Sequence, residues 1–134
     1  VATVFTAHSL PAAIVAAGDP YPRELEESSR AVAELAGLAR WYVAYQSRGK
    51  TAVPWLGPDL EEVLARLREE GCPAVLVCPI GFVADHLEVL YDLDIEARQL
   101  AGRLGMRLER TASLNQDPAF IEVLADVVRR ACPW

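Results

Sequence analysis

Four short apolar runs alternate along this chain with four amphipathic stretches, and that alternation leaves few folds open. "VATVFTAH" (Val1–His8) is compact and β-branched and reads as a buried strand. "WYVAYQS" (Trp41–Ser47) is a second strand, "AVLVCPI" (Ala74–Ile80) a third, and "MRLERTASL" (Met106–Leu114) holds a fourth. The third is apolar throughout, as a parallel strand covered on both faces is. Between them lie helical patterns. "PYPRELEESSRAVAELAGLA" has its prolines and acids early, with Leu25, Val32, Leu35 and Leu38 at near-helical spacing. "GPDLEEVLARLREEG" places Asp59 near an N-cap and Gly71 at the stop. "DIEARQLAGRLG" ends at Gly105, and "DPAFIEVLADVVRRACPW" starts with Asp117 as N-cap and Pro118 in the first position. The order β-α-β-α-β-α-β-α predicts one α/β domain over residues 1–134. Its four-stranded parallel sheet carries helices on both faces through right-handed crossovers.

Composition narrows the partners. With 134 residues the chain is long enough for a single core, and 52% hydrophobic residues with a mean hydropathy of +0.15 predict extensive burial. No apolar run approaches the roughly 20 residues of a membrane span, and there is no secretory signal. Beginning at Val1, the chain reads as processed or as a piece of something longer. A net charge of −6 and a pI near 4.9 offer no basic face to nucleic acid. Cys72, Cys78 and Cys132 match neither a zinc-type pair nor a disulfide framework, which predicts reduced thiols and a cytoplasmic location.

In such sheets ligands bind beyond the carboxyl ends of the strands. The loops that matter are therefore "AHSLP", "QSRGKTAVPWLGP", "PIGFVADHLE" and "SLNQDP". The chain's two histidines, His8 and His86, both fall on that edge. From Gly81 to Ala97 the chain has no Lys or Arg, yet Glu88, Asp92 and Glu96 are spaced four apart. On a helix they form one stripe, with Leu87, Leu90, Tyr91 and Ile95 on the other side. A solvated acidic face is the ordinary reading of such a stripe. Against it, stacked like charges without partners repel, and a file of hard oxygen ligands suits a divalent cation in transit or a proton relay. Asp94 falls inside the apolar arc of a regular helix, so the helix is predicted to break, restart or form a π-bulge near Leu93–Asp94. No Walker or G-x-G-x-x-G pattern is present, so nucleotide binding is not supported. Trp55, between prolines, reads as a rigid aromatic wall or a packing anchor.

These residues resemble ferrochelatases, the enzymes that insert ferrous iron into porphyrins in haem biosynthesis. "FTAHSLP" with "GDPYP" resembles the family's catalytic-histidine motif, and "AYQSRGKTAVPWLGP" its central motif. "PIGFVADHLEVLYDLDIEA" resembles the segment carrying its essential glutamate, and "SLNQDPAFIEVLADVV" its C-terminal segment. Family members have two flavodoxin-like α/β halves and are over twice this length, so the resemblance is to the C-terminal half alone. It implies His8 and Glu88 as the catalytic pair, and His8, Glu88, Asp92 and Glu96 as the metal's ligands. It implies porphyrin contacts from Ser9, Leu10, Pro11, Gln46, Ser47, Trp55, Ile80 and Phe82. Porphyrin (protoporphyrin or coproporphyrin), ferrous iron and the other half of the same chain are the implied partners, with room for a peripheral membrane contact. With Cys132 alone near the end, no iron–sulfur cluster is predicted, and no cofactor is.

Two other readings compete. One is a small homodimeric tetrapyrrole chelatase of the sirohydrochlorin cobaltochelatase type. The other is a non-enzymatic flavodoxin-like binding module, which would need a phosphate or phospho-acceptor loop after the first strand. Three expectations follow for the structure: His8 faces Glu88, the acid stripe runs outward from the cleft, and an apolar wall is left exposed around Leu10, Trp55, Ile80 and Phe82.

Overall fold

The computed structural model describes residues 1–132. Its sheet contains β1 (Ala2–His8), β2 (Trp41–Gln46), β3 (Ala74–Cys78) and β4 (Arg107–Arg110) in the order β2-β1-β3-β4, all parallel. The order reverses at β1 and β3, so the ends of those two strands form the switch point where sites are built. Among the described residues five helices accompany the sheet: α1 (Ala13–Ala16), α2 (Tyr21–Leu35), α3 (Leu60–Glu69), a continuous helix from Leu87 to Arg103, and α6 (Pro118–Ala131). The continuous helix has three parts: α4 (Leu87–Val89), a π-helical segment (Leu90–Ala97) and α5 (Arg98–Arg103). The short α1 was not foreseen, and β4 is only a part of the run expected to hold it.

Local chemistry accounts for the ends. Asp59 accepts from Glu61 N while Glu62 reaches back to Asp59 N, a capping box that starts α3. Asp117 caps α6 with Pro118 behind it, and Gly71 adopts φ +75 just beyond α3.

The core is uneven. On one face α3 contributes Leu60, Val63, Leu64 and Leu67, and the long helix contributes Val89, Leu93, Ala97 and Ala101, against Val4, Ala44, Val75 and Val77 of the sheet. The opposite face is thinner, with Ala7, Leu25 and Tyr45 at its centre. Here the expected stripe of α2 is corrected. Leu25, Ser29 and Ala33 face inward, while Val32 is 41% and Leu35 92% exposed. Small residues let the helix lie close to the sheet, and Ser29 Oγ donates to Leu25 O, so its hydroxyl is not buried unpaired.

The long helix is irregular where Asp94 demanded it. The apolar side differs from the expected one: Val89, Leu93 and Ala97 are buried, while Leu87, Leu90, Tyr91 and Ile95 are exposed. The irregularity does not move Asp94 into water either. Its carboxylate stays half-buried and is met by Arg110, with Nε 2.9 Å from Oδ1 and Nη2 3.0 Å from Oδ2. A partner from the neighbouring strand resolves the conflict that helix geometry alone poses.

Candidate active site

His8 is the last residue of β1, on the sheet face that packs against the long helix. Three contacts hold the chain there: Ser9 N donates to Gln46 O at 2.7 Å, Ser9 Oγ to Leu56 O at 2.8 Å, and the Tyr21 hydroxyl to His8 O at 2.8 Å. Burial, then the neighbouring Tyr45, raises the Tyr21 pKa, so the phenol stays a donor. The imidazole Nδ1 lies 2.5 Å from Ser9 O. A carbonyl can only accept, so Nδ1 is the donor in that contact and Nε2 is the nitrogen left to face Glu88.

That Nε2 is 3.3 Å from Glu88 Oε1. The contact depends on the loop after β3 passing directly over the end of β1. Gly81 N donates to Thr6 O at 3.0 Å, and a Cβ at position 81 would sit 2.5 Å from Ala7 Cβ. Only glycine fits. The loop then enters α4 through His86, and Glu88 arrives in its first turn.

Glu88, Asp92 and Glu96 all line one open cleft of about 970 Å³, together with Gln46, Ser47 and Trp55. Asp92 accepts the Ser47 hydroxyl. Ser47 itself adopts φ 60, a left-handed conformation that costs a non-glycine residue about 1–2 kcal/mol. Strain of that kind concentrates at functional positions. Gln46 is only 4% exposed, yet among the described residues both its side-chain nitrogen and oxygen lack a partner, leaving the amide able to bond a polar group in the cleft. Trp55 stacks so closely on Gly49 that a Cβ there would be 2.4 Å from its ring, and its Nε1 donates to Thr51 Oγ1. It is both wall and anchor.

The other residues expected at the porphyrin are not among those lining this cleft. Ser9 is 1% exposed and its hydroxyl is already used, so it shapes the loop. Ile80 packs on the opposite side of the sheet with Leu25 and Tyr45. Phe82 packs on the main core and tilts against His86, ring centroids 5.1 Å apart. Leu10 and Pro11 brace the central loop through Leu56 N to Leu10 O and a Pro11–Trp55 bridge. Leu10, Trp55, Ile80 and Phe82 are half-buried and not the exposed wall expected. Leu87, Tyr91 and Ile95, on the helix that bears the acids, are exposed instead. Lys50 and Tyr91 also line the cleft; Tyr91 was expected on the apolar side of the helix, and Lys50 did not stand out, because a lone Lys in a loop carries no spacing signal.

Among the described residues no three His, Cys, Asp or Glu side chains converge closely enough to hold a metal ion. No helix among these residues is long and apolar enough to cross a membrane.

Taken together, the sheet order and the His–carboxylate pair at its switch point define a flavodoxin-like half-domain with a site on the carboxyl edge. The fold is shared with a solved protein described as a putative cobalamin biosynthesis CbiX protein from Marinobacter aquaeolei, at a TM-score of 0.64 and 18% identity, covering 96% of this chain and 94% of that one. The chain belongs to the ferrochelatase family, whose model matches residues 1–132. It is 54% identical to a ferrochelatase of Thermus thermophilus over 98% of its own length and 42% of that protein. To a coproporphyrin III ferrochelatase of Geobacillus thermodenitrificans it is 48% identical, over 93% of its own length and 40% of that protein. It thus spans well under half the length of these relatives.

Proposed function

We propose that this chain is the C-terminal half of a two-half enzyme that inserts ferrous iron into a porphyrin of the protoporphyrin or coproporphyrin type. The His8–Glu88 contact carries the reading. A free-base porphyrin gives up two pyrrole protons as the metal enters. His8, with Nδ1 committed to Ser9 O, offers Nε2 as an acceptor for one of them, and a carboxylate of the Glu88, Asp92 and Glu96 set takes the other and passes it to solvent. The Glu88 carboxylate 3.3 Å away stabilises the imidazolium that results. A macrocycle bound against Trp55 and the rest of a closed cleft can be bent out of plane at the expense of its own binding energy, which exposes the pyrrole lone pairs.

Glu88, Asp92 and Glu96 replace the water shell of the iron one oxygen at a time. A file of weak sites lets the ion move on, where one tight cage would hold it. The names of both relatives, and identities of 54% and 48% over nearly the whole chain, support the substrate pair. The missing wall of the cleft falls to the N-terminal half. Three free thiols, Cys72, Cys78 and Cys132, fit a reducing cytoplasm. A net charge of −6 gives anionic lipid no basic face, so membrane contact is not part of the reading.

The direct test is His8→Ala in the full-length protein. Porphyrin binding, followed by fluorescence, is expected to persist, while metal insertion falls by at least about 100-fold, the loss typical of a removed acid–base group. Near-normal turnover in that variant overturns the base role.

A further inference from the structure

Five carboxylates crowd the stretch from Gly81 to Ala97, and only three line the cleft. The other two, Asp85 and Asp94, converge on one cation. Arg110 closes β4 with its side chain only 12% exposed. Its Nε and Nη2 clamp Asp94 at 2.9 and 3.0 Å, Nη2 also reaches Asp85 Oδ1 at 3.3 Å, and Nη1 donates to Thr111 O at 3.0 Å. Asp85 is further held by Ser113 Oγ at 2.7 Å and Asn115 Nδ2 at 3.1 Å, while its own N–H donates to Asn115 Oδ1 at 2.9 Å. Arg98 lies 3.7 Å from Asp94 on the outer side.

Among the described residues neither Asp92 nor Glu96 has a Lys or Arg partner, and Glu88 pairs only with His8. Asp85 sits three residues before Glu88, and Asp94 two residues after Asp92. One guanidinium therefore grips both flanks of the segment that bears the Glu88–Asp92 pair.

We infer that Arg110 is a positioning residue for the metal path: it withdraws Asp85 and Asp94 from competition for the cation and fixes the segment that presents Glu88 and Asp92. This rests on the chelatase reading above. The planar fork is needed to bridge two carboxylates at once, and a lysine cannot reproduce it. The residue touches neither the cleft nor His8, so its effect reaches the reaction through the acids alone.

The test uses the full-length protein with Arg110→Gln and Arg110→Lys. Without metal or porphyrin, Arg110→Gln should speed amide hydrogen exchange across Asp85–Ala97 and leave β1 and α3 unchanged. In turnover, its KM for ferrous iron should change by about 10–100-fold, as for other residues that orient metal ligands, with the porphyrin KM within about twofold. Arg110→Lys should recover only part of the loss. An iron KM within about twofold of wild type overturns the inference, as do both KM values rising together with a fallen melting temperature. Should Arg110→Gln fail to fold, Asp94→Asn keeps Asp85 paired and must show the same selective change in iron KM; an unchanged value overturns the inference. If the wild-type protein inserts no metal, the chelatase reading fails, and the exchange comparison alone then decides whether Arg110 holds the segment.

Discussion

Gly81 lies against Ala7 with no room for a side chain: a Cβ there would be 2.5 Å from Ala7 Cβ and 2.8 Å from Ala7 Cα. This contact joins the loop after β3 to the end of β1, and it is what brings Glu88 over His8. Gly81→Ala must push one backbone off the other. A loss of about 1–3 kcal/mol is expected, as for other overpacked sites, read as a lower urea midpoint at unchanged m-value. Turnover in the full-length protein should fall further than stability does, because the His8–Glu88 distance opens. Unaltered turnover would show that the two residues need not meet.

Asp92→Ala and Glu96→Ala test the file of acids. Each should raise the KM for the metal by about tenfold in the full-length protein, the lower end for lost ligand support, and leave porphyrin binding alone. The double variant should cost more than either. If the metal dependence of all three matches wild type, the acids are a solvated face only.

Asp85 makes a prediction about acid stability. Hydrogen bonds from Ser113 and Asn115, followed by the Arg110 charge, hold its carboxyl below the ordinary range. A carboxylate depressed in the folded state stabilises the protein above the unfolded value, about pH 4, and that contribution disappears as pH falls through the folded pKa. Asp85→Asn should therefore be less stable than wild type at neutral pH and approach it in acid. Urea midpoints at neutral pH and below about pH 4 give the comparison; a difference that does not shrink in acid assigns the effect to something other than ionisation.

The chain by itself should insert no metal and should self-associate. It spans about 40% of its relatives, and it exposes Leu87, Tyr91 and Ile95 together with Val123, Val127 and Val128 of α6. Sedimentation across a concentration series and a zinc-insertion assay check both statements. Insertion by a monomer refutes the half-enzyme reading, and insertion by a dimer favours the homodimeric chelatase instead.

Much of this molecule was legible in one dimension because it is written in local rules. Strand and helix order, the Asp59 and Asp117 caps, the glycine stop at Gly71 and the placement of His8 on the sheet edge each depend on neighbours a few residues away. Even the irregular helix near Asp94 was visible, since a carboxylate in an apolar arc contradicts a regular period. How the conflict is settled was not visible. Arg110 is 16 residues from Asp94 and 25 from Asp85, and nothing in the spacing pairs them. The same holds for the packing of Ser9, Ile80 and Phe82, whose contacts with Leu56, the Leu25–Tyr45 cluster and His86 no spacing foretells. It holds also for α2, where the sheet accepts Ser29 and Ala33 and leaves Val32 and Leu35 in water. Periodicity reports which residues share a side of a helix. Which side is buried, and which charges find each other, depends on surfaces that exist only once distant segments have packed.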